Sequence, residues 1–150
     1  MQQIAKELET FIRQYSDRLH SLKEDVLTHK PLSNKWSKKE IIGHLIDSAQ
    51  SNIRRFVVAQ YEEQPFIKYN QDKWVEISVY QQYKSQNLID LWQLLNMHIA
   101  HILKNMTPEM AERKCLTEEV HTVEFLAVDY IKHLKHHIHQ VLDLEPFAYP

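Results

Sequence analysis

The sequence predicts an all-α protein, a four-helix bundle formed by one domain of residues 1–150. Four long stretches carry apolar residues three and four positions apart, which is the spacing of one face of a helix. The connections between them are short or medium in length, and no stretch shows a convincing strand pattern. Amphipathic helices of this kind bury their apolar faces against one another in an antiparallel-type bundle. At 150 residues the chain has the length of one domain with one core.

The first two predicted helices are separated by a proline-containing break. Helix one is expected from Gln2 to Leu27. Pro31 interrupts the pattern, and Ser37 with Glu40 three residues later is the capping-box signature of a new helix. Helix two is therefore expected from Lys38 to Glu62. The apolar positions of helix one are Ile4, Leu8, Phe11, Ile12, Tyr15, Leu19 and Leu22.

The second half of the chain predicts two further long helices. The segment from Pro65 to Trp74 has no clean period and is expected to be a structured connection. Helix three follows from about Ser78 to Met106. The polar stretch after it leaves room for a short helical turn from Pro108 to Lys114, and helix four is expected from Thr122 to Leu144.

Composition excludes several classes of function. A formal charge of −2 with no basic block argues against nucleic-acid binding. No apolar run approaches the about 18 residues of a membrane span, and the N-terminal residues do not form a signal peptide, so we expect a cytoplasmic protein. The lone Cys115 agrees with a reducing compartment. The single glycine, Gly43, excludes the glycine-rich loops that bind phosphate or dinucleotides.

Three of the ten histidines are placed where they could share a metal ion. On a helical projection His44 borders the apolar face of helix two, and His133 and His137 lie one above the other beside the apolar face of helix four. Two histidines at i and i+4 present ring nitrogens to a common point, and a third from a facing helix completes a three-nitrogen set. Spacing alone leaves an alternative open, because such pairs are often solvated or hydrogen-bonded, and a histidine at the edge of a core is often only a satisfied polar residue.

Three segments together resemble a known family: WSKKEIIGHLIDSAQSNIRRF at 36–56, KYNQDKW at 68–74 and HLKHHIHQ at 133–140. They resemble the DinB superfamily, and within it the YfiT-like branch of metal-dependent hydrolases that includes bacillithiol S-transferases. In that family, a histidine just before a D-S pair and two histidines four apart on the last long helix bind the metal. The matching residues are His44, His133 and His137, the same three that the helical projection selects.

The resemblance also implies a DinB-type four-helix bundle, one divalent ion, most often zinc or nickel, and a homodimer. Gly43 departs from the family pattern, because relatives often have a second histidine there. Ala49 and Gln50 also differ from more histidine-rich equivalents. These departures do not touch the three ligands, but they could alter the choice of substrate.

Two carboxylates and two aromatic residues are candidates to support the site. Asp47 and Asp129 each lie about one turn from a predicted ligand and could orient its ring, although a plain surface role is the alternative. Tyr69 and Trp74 could wall a pocket, as their family placement suggests, or serve the core.

Two polar residues follow the histidine of helix two on nearby faces. Asn52 and Arg55 are candidates to contact a substrate. Arg55 could hold an anionic group of the substrate or pair with an acid on a neighbouring helix.

Two functions fit these observations. The first is an enzyme in which the ion acts as a Lewis acid on a small molecule, either activating water for hydrolysis or binding a low-molecular-weight thiol as thiolate for S-transfer. The alternative is a non-catalytic metal-binding dimer, in stress response or protein interaction, in which the ion joins helix two to helix four. A catalytic site keeps an open coordination position, whereas a structural one is closed by a fourth ligand, for which Glu40, Asp47 and Asp129 are the candidates.

Overall fold

The computed structural model describes residues 1–149 and confirms the predicted four-helix bundle. The four long helices pack around a shared apolar core, and short elements form the connections between them. The long helices are α1 (Gln2–His20), α3 (Lys38–Val58), α5 (Ser85–Lys104) and α7 (Val123–Val141). The short elements are α2 (Glu24–Thr28), α4 (Gln71–Ser78), a 3-10 turn (Tyr80–Gln82), α6 (Pro108–Ala111), β1 (Lys114–Leu116) and β2 (Val120–Thr122).

The long helices do not follow one another around the bundle in chain order. Helix α1 packs mainly on α5, α5 packs on α3, α3 packs on α7, and α7 closes back on α1. The centre of the core holds Trp92 and Tyr130, and the Tyr130 hydroxyl donates a 2.6 Å hydrogen bond to Oδ1 of Asn96. This arrangement makes α3 and α7 direct neighbours, and the histidines of the two helices can therefore meet.

Side chains fix the starts of the two helices that carry those histidines. Ser37 and Glu40 form the predicted capping box at the start of α3, each bonding the backbone N–H of the other. Thr122 caps α7 by accepting a hydrogen bond from the N–H of Phe125. The predicted C-terminal ends were too long: α3 ends at Val58 and α7 at Val141.

Helix one is also shorter than predicted. It ends at His20, and α2 begins separately at Glu24, so the expected continuation to Leu27 is wrong. At the break the hydroxyl of Ser21 donates a hydrogen bond to the carbonyl oxygen of Arg18. This carbonyl therefore has a side-chain partner at the point where the helix ends.

The start of helix three was predicted too early. The chain leaves α4 at Val79 in the left-handed conformation (φ 50°), passes through the 3-10 turn, and begins α5 only at Ser85. Helix α4 itself lies partly in the segment predicted as a connection, and Asn70 caps it by accepting from the N–H of Lys73. A turn at this point was not predicted, because valine rarely adopts positive φ and its presence does not indicate one.

The absence of strands was a wrong prediction. Strands β1 and β2 pair antiparallel, with Cys115 opposite His121, and the backbone N–H of Ile67 joins them by donating to the carbonyl of Leu116. Each strand has three residues, which is too short to show a period of two. The predicted helical turn from Pro108 exists as α6, but it stops at Ala111 because β1 follows. No helix within residues 1–149 is long and apolar enough to cross a membrane.

Candidate metal site

The candidate site lies between α3 and α7, which run in opposite directions. His44 is in the first half of α3, and His133 and His137 are one turn apart in the second half of α7. One ligand atom of each ring lies within 4.8 Å of those of the other two. The structure therefore brings together the three histidines that the sequence predicted to meet.

The three rings lie at similar distances from one another, and their planes are nearly perpendicular. Their centroids are 5.1 Å apart for His44 and His133, 5.1 Å for His44 and His137, and 4.6 Å for His133 and His137. The ring planes cross at 79°, 78° and 77°. The Nε2 atoms of His44 and His133 are 3.1 Å apart. Two nitrogens bound tetrahedrally at about 2.0–2.1 Å from zinc lie about 3.4 Å from each other, so the spacing fits one ion with a small adjustment.

Burial keeps the three imidazoles neutral. Desolvation, reinforced by the neighbouring His137, lowers the pKa of His44 to about 4. Desolvation, together with the other histidines of the cluster, lowers the pKa of His133 to about 2, and desolvation also lowers the pKa of His137. A neutral imidazole is the form that binds a metal. The donor set therefore fits a divalent ion.

Two neighbours orient the rings. Nδ1 of His137 donates to Oε1 of Gln140 at 3.1 Å, which leaves Nε2 of His137 as its unprotonated nitrogen. Trp36 packs on the ring of His44, with 5.1 Å between centroids and 35° between planes. Gln140 was not predicted, although its position one turn after His137 was a usable signal.

Asp47 lies on α3 but turns toward a different partner. Its Oδ1 accepts a hydrogen bond from the hydroxyl of Tyr80 at 2.5 Å, and burial raises the pKa of the carboxyl group to about 6. Its Oδ2 is buried and, within residues 1–149, accepts no hydrogen bond, and the same is true of Nδ1 of His44. The carboxylate is therefore held beside the site by Tyr80 and is not a fourth member of the histidine cluster.

Gly43 is required for the position of Tyr80. A Cβ atom at this point of α3 would lie 2.2 Å from Cδ2 and 2.4 Å from Cγ of the Tyr80 ring. Real Cβ atoms do not approach that closely, so a larger side chain at position 43 would not fit beside Tyr80. The close approach of the Tyr80 ring thus accounts for the one glycine of the chain.

A cleft of about 660 Å³ opens beside His133. Asn52, Arg55, Tyr69 and Asp129 of the predicted support residues line it. Trp74 does not line this cleft and instead packs edge-on against Tyr69, with 5.2 Å between ring centroids.

Tyr149 closes one side of the cleft and was missed in the sequence. Its hydroxyl donates to Oδ2 of Asp129 at 3.0 Å, and its ring centroid is 5.5 Å from that of His133. The segment before it is held against α7, because the carbonyl of Phe147 accepts a hydrogen bond from Nδ1 of His136 at 2.9 Å. This segment has no helical period, so no pattern in the sequence indicates that it returns to the site.

Fold and histidines together define a helical-bundle protein with a candidate metal site. The chain belongs to the DinB superfamily, whose family model matches residues 7–141. Among curated proteins it is 26% identical over 113 residues to the "Putative metal-dependent hydrolase YfiT" of Bacillus subtilis, covering 73% of this chain and 64% of that protein. It is 27% identical over 116 residues to the "Putative metal-dependent hydrolase BH0277" of Halalkalibacterium halodurans, covering 72% of this chain and 67% of that protein. The match thus spans about two thirds of the length of these relatives.

The fold also matches a solved structure, that of YfiT from Bacillus subtilis. The TM-score is 0.78 at 22% sequence identity, and the superposition covers 95% of this chain and 82% of the other. That protein is described as a probable metal-dependent hydrolase with an unusual four-helix bundle topology. At this identity the match bears on the fold alone.

Proposed function

We propose that this protein is a divalent-metal-dependent enzyme that acts on a small molecule, with zinc or nickel held by His44, His133 and His137. One observation carries the proposal: three neutral imidazoles from two helices converge on one point beside a cleft that His133 lines. In the part of the chain that the structure describes, no fourth histidine, cysteine or carboxylate joins them. Such a site leaves a coordination position open, which is the mark of a catalytic rather than a structural ion.

A non-catalytic role would need a closed site, and the three candidates for closure have other partners. Glu40 accepts from the backbone of Ser37 and pairs with Nζ of Lys30 at 2.9 Å. Asp47 is bonded by Tyr80, and Asp129 by the hydroxyl of a tyrosine near the C-terminus. The contacts of these carboxylates therefore favour the enzyme over the metal-stapled interaction protein.

The bound ion would act as a Lewis acid that favours the anionic form of a nucleophile, either water or a thiol. Three neutral ligands leave the ion its full double charge, which strengthens that effect. Residues of the chain would form the binding site for the substrate. His133 faces the cleft in which the substrate would lie, and Asp129, one turn before it on α7, lines the same wall.

Hydrolysis and thiol S-transfer share this activation of the nucleophile by the ion and differ in which nucleophile is used. The names of the two relatives support hydrolysis, and the likeness to the bacillithiol S-transferase branch supports transfer. The same preparation can test both. Untagged protein is stripped with a chelator and reloaded with zinc or nickel. It is then assayed on a panel of activated esters and amides and, separately, for conjugation of thiols to an electrophilic dye.

His133→Ala is the test variant, and His101→Ala on the exposed face of α5 is its matched control. The proposal expects turnover that requires the metal, disappears in His133→Ala and persists in His101→Ala. Turnover that survives complete metal removal would contradict it, and so would failure of the loaded protein in both assays.

We also propose that the protein forms a homodimer, as the resemblance implies, and that it is cytoplasmic, as its sequence predicts. Light scattering on the eluting peak should then give about twice the 18.0 kDa mass of one chain. A peak at the mass of one chain over the working range of concentrations would contradict the dimer.

A further inference from the structure

Arg55 brings a guanidinium group to the cleft without a carboxylate partner among residues 1–149. Its Nε donates to the carbonyl of Ile67 at 3.2 Å and its Nη1 donates to Oδ1 of Asn52 at 3.3 Å. These bonds use two of its five N–H groups. Across residues 1–149 no carboxylate oxygen lies within 4.0 Å of it. A cation withdrawn from water is costly unless an anion meets it, so the free N–H groups are suited to an anionic ligand.

Asp129 supplies the opposite charge on the facing helix. It lines the same cleft, accepts one hydrogen bond from Tyr149, and has no cationic group within 4.0 Å among the residues described. Glu118 also lines the cleft but is paired with Lys68 at 2.7 Å, and Glu119 is exposed at the rim. These acids disfavour a ligand that is anionic throughout. They favour one that carries a positive group opposite Asp129.

The helix geometry sets the order of the charges along the cleft. On α3, Arg55 lies eleven residues after His44. Asn52, whose Oδ1 accepts a hydrogen bond from the guanidinium, lies eight residues after His44. At 1.5 Å per residue these Cα atoms lie about 16 Å and about 12 Å from that of His44 along the helix axis. Asp129 is four residues, or about 6 Å, from His133 on α7. Because the guanidinium lies at Asn52, a ligand that reaches it from the histidines must span on the order of 10 Å, close to the axial distance to Asn52.

We infer that the cleft binds a small molecule with an α-amino-acid head group about 10 Å from its reacting atom. The carboxylate of the head group is held by the guanidinium of Arg55, and its ammonium group faces Asp129. The reacting atom then lies at the three histidines. The inference rests on the proposed function, because that function places the reacting atom of the ligand at the histidines. It adds the chemical class of the head group at the opposite end of the ligand.

The probe is γ-L-glutamyl-L-cysteine, which carries a thiol at one end and an α-amino-acid head group at the other across a comparable span. The matched probe has the α-carboxylate of its glutamyl residue converted to an amide. Calorimetric titration of the zinc-loaded full chain measures both affinities in wild type, in Arg55→Gln and in Arg54→Gln. Arg54 is the matched control, because it is the adjacent arginine on α3 and is exposed. Zinc content is measured for every preparation.

A charge-assisted bidentate pair predicts that the wild type binds the acid probe about tenfold to a hundredfold more tightly than the amide. Arg55→Gln should lose most of this preference at unchanged zinc content, and Arg54→Gln should keep it. Equal binding of both probes by the wild type, no binding of either, or a preference that survives in Arg55→Gln would overturn the inference while leaving the metal site in place. If the wild type failed to hold zinc, the proposed function would fall instead, and the acid–amide comparison on that metal-free protein would still decide the head group.

Discussion

Replacement of Gly43 by alanine should destabilise the protein, although alanine is the better helix former. The new Cβ would lie 2.2–2.6 Å from three atoms of the Tyr80 ring, where carbon atoms in contact are normally about 3.5–4.0 Å apart. The ring must therefore move by more than about 1 Å. That movement takes the Tyr80 hydroxyl away from the buried carboxylate of Asp47.

The expected cost follows from three contributions. Overpacking in a well-packed region costs about 1–3 kcal/mol. Loss of the hydrogen bond to a charged group costs about 1.5–3 kcal/mol. Alanine in place of glycine inside a helix stabilises the folded state by about 1 kcal/mol. The net loss in free energy of unfolding should be about 2–4 kcal/mol, the middle of the range these contributions span.

Urea denaturation of metal-free protein at pH 8 measures this loss, and a double-mutant cycle with Tyr80→Ala isolates its cause. Once the ring is gone, Gly43→Ala should become neutral or stabilising by up to about 1 kcal/mol. Tyr80→Phe, which keeps the ring and removes only the hydroxyl, separates the hydrogen bond from the packing. The reasoning is refuted if Gly43→Ala is as stable as wild type, or if its cost is the same with and without the Tyr80 ring.

Three further outcomes are expected. In metal-free protein, burial lowers the pKa of His44 to about 4 against 6.5 in the unfolded chain, so the unfolded state binds the extra proton first. His44 alone should therefore remove about 3 kcal/mol of stability on acidification from pH 7 to 4, and urea curves of His44→Leu should show a flatter pH dependence than those of the wild type. Gln140→Ala should weaken zinc binding about tenfold in a chelator competition, because Nδ1 of His137 loses its acceptor, and an unchanged affinity would show that Gln140 does not orient that ring. Tyr130→Phe should cost about 1–2 kcal/mol in urea denaturation, since it leaves Oδ1 of Asn96 buried and unpaired, and a neutral result would mean that the site relaxes or admits water.

The sequence was sufficient for the number of long helices and for the position of the histidine cluster. Apolar spacing marks each long helix because burial of one face is what holds it, and the same projection places His44, His133 and His137 beside those faces. The capping box at Ser37 was readable for a similar reason, since its hydrogen bonds are local in sequence.

Other features depend on contacts between distant residues and have no local pattern. Val79 adopts positive φ because the chain must turn there to place Tyr80 against Gly43, and neither residue alone indicates it. The three-residue strands are held by pairing with each other and with residue 66, which a single strand cannot show. Tyr149 reaches the cleft through a segment without periodicity. The support residues of the site were therefore harder to predict than its histidines.

A competition titration of zinc against a chromophoric chelator tests the central claim most directly. The wild-type chain should bind one ion, and alanine at His44, His133 or His137 should each weaken binding by more than about a hundredfold, since direct ligands matter more than the groups that orient them. Alanine at the exposed His98 or His101 should leave the affinity unchanged. Equal zinc affinity in wild type and in the three ligand variants would contradict a site formed by these histidines.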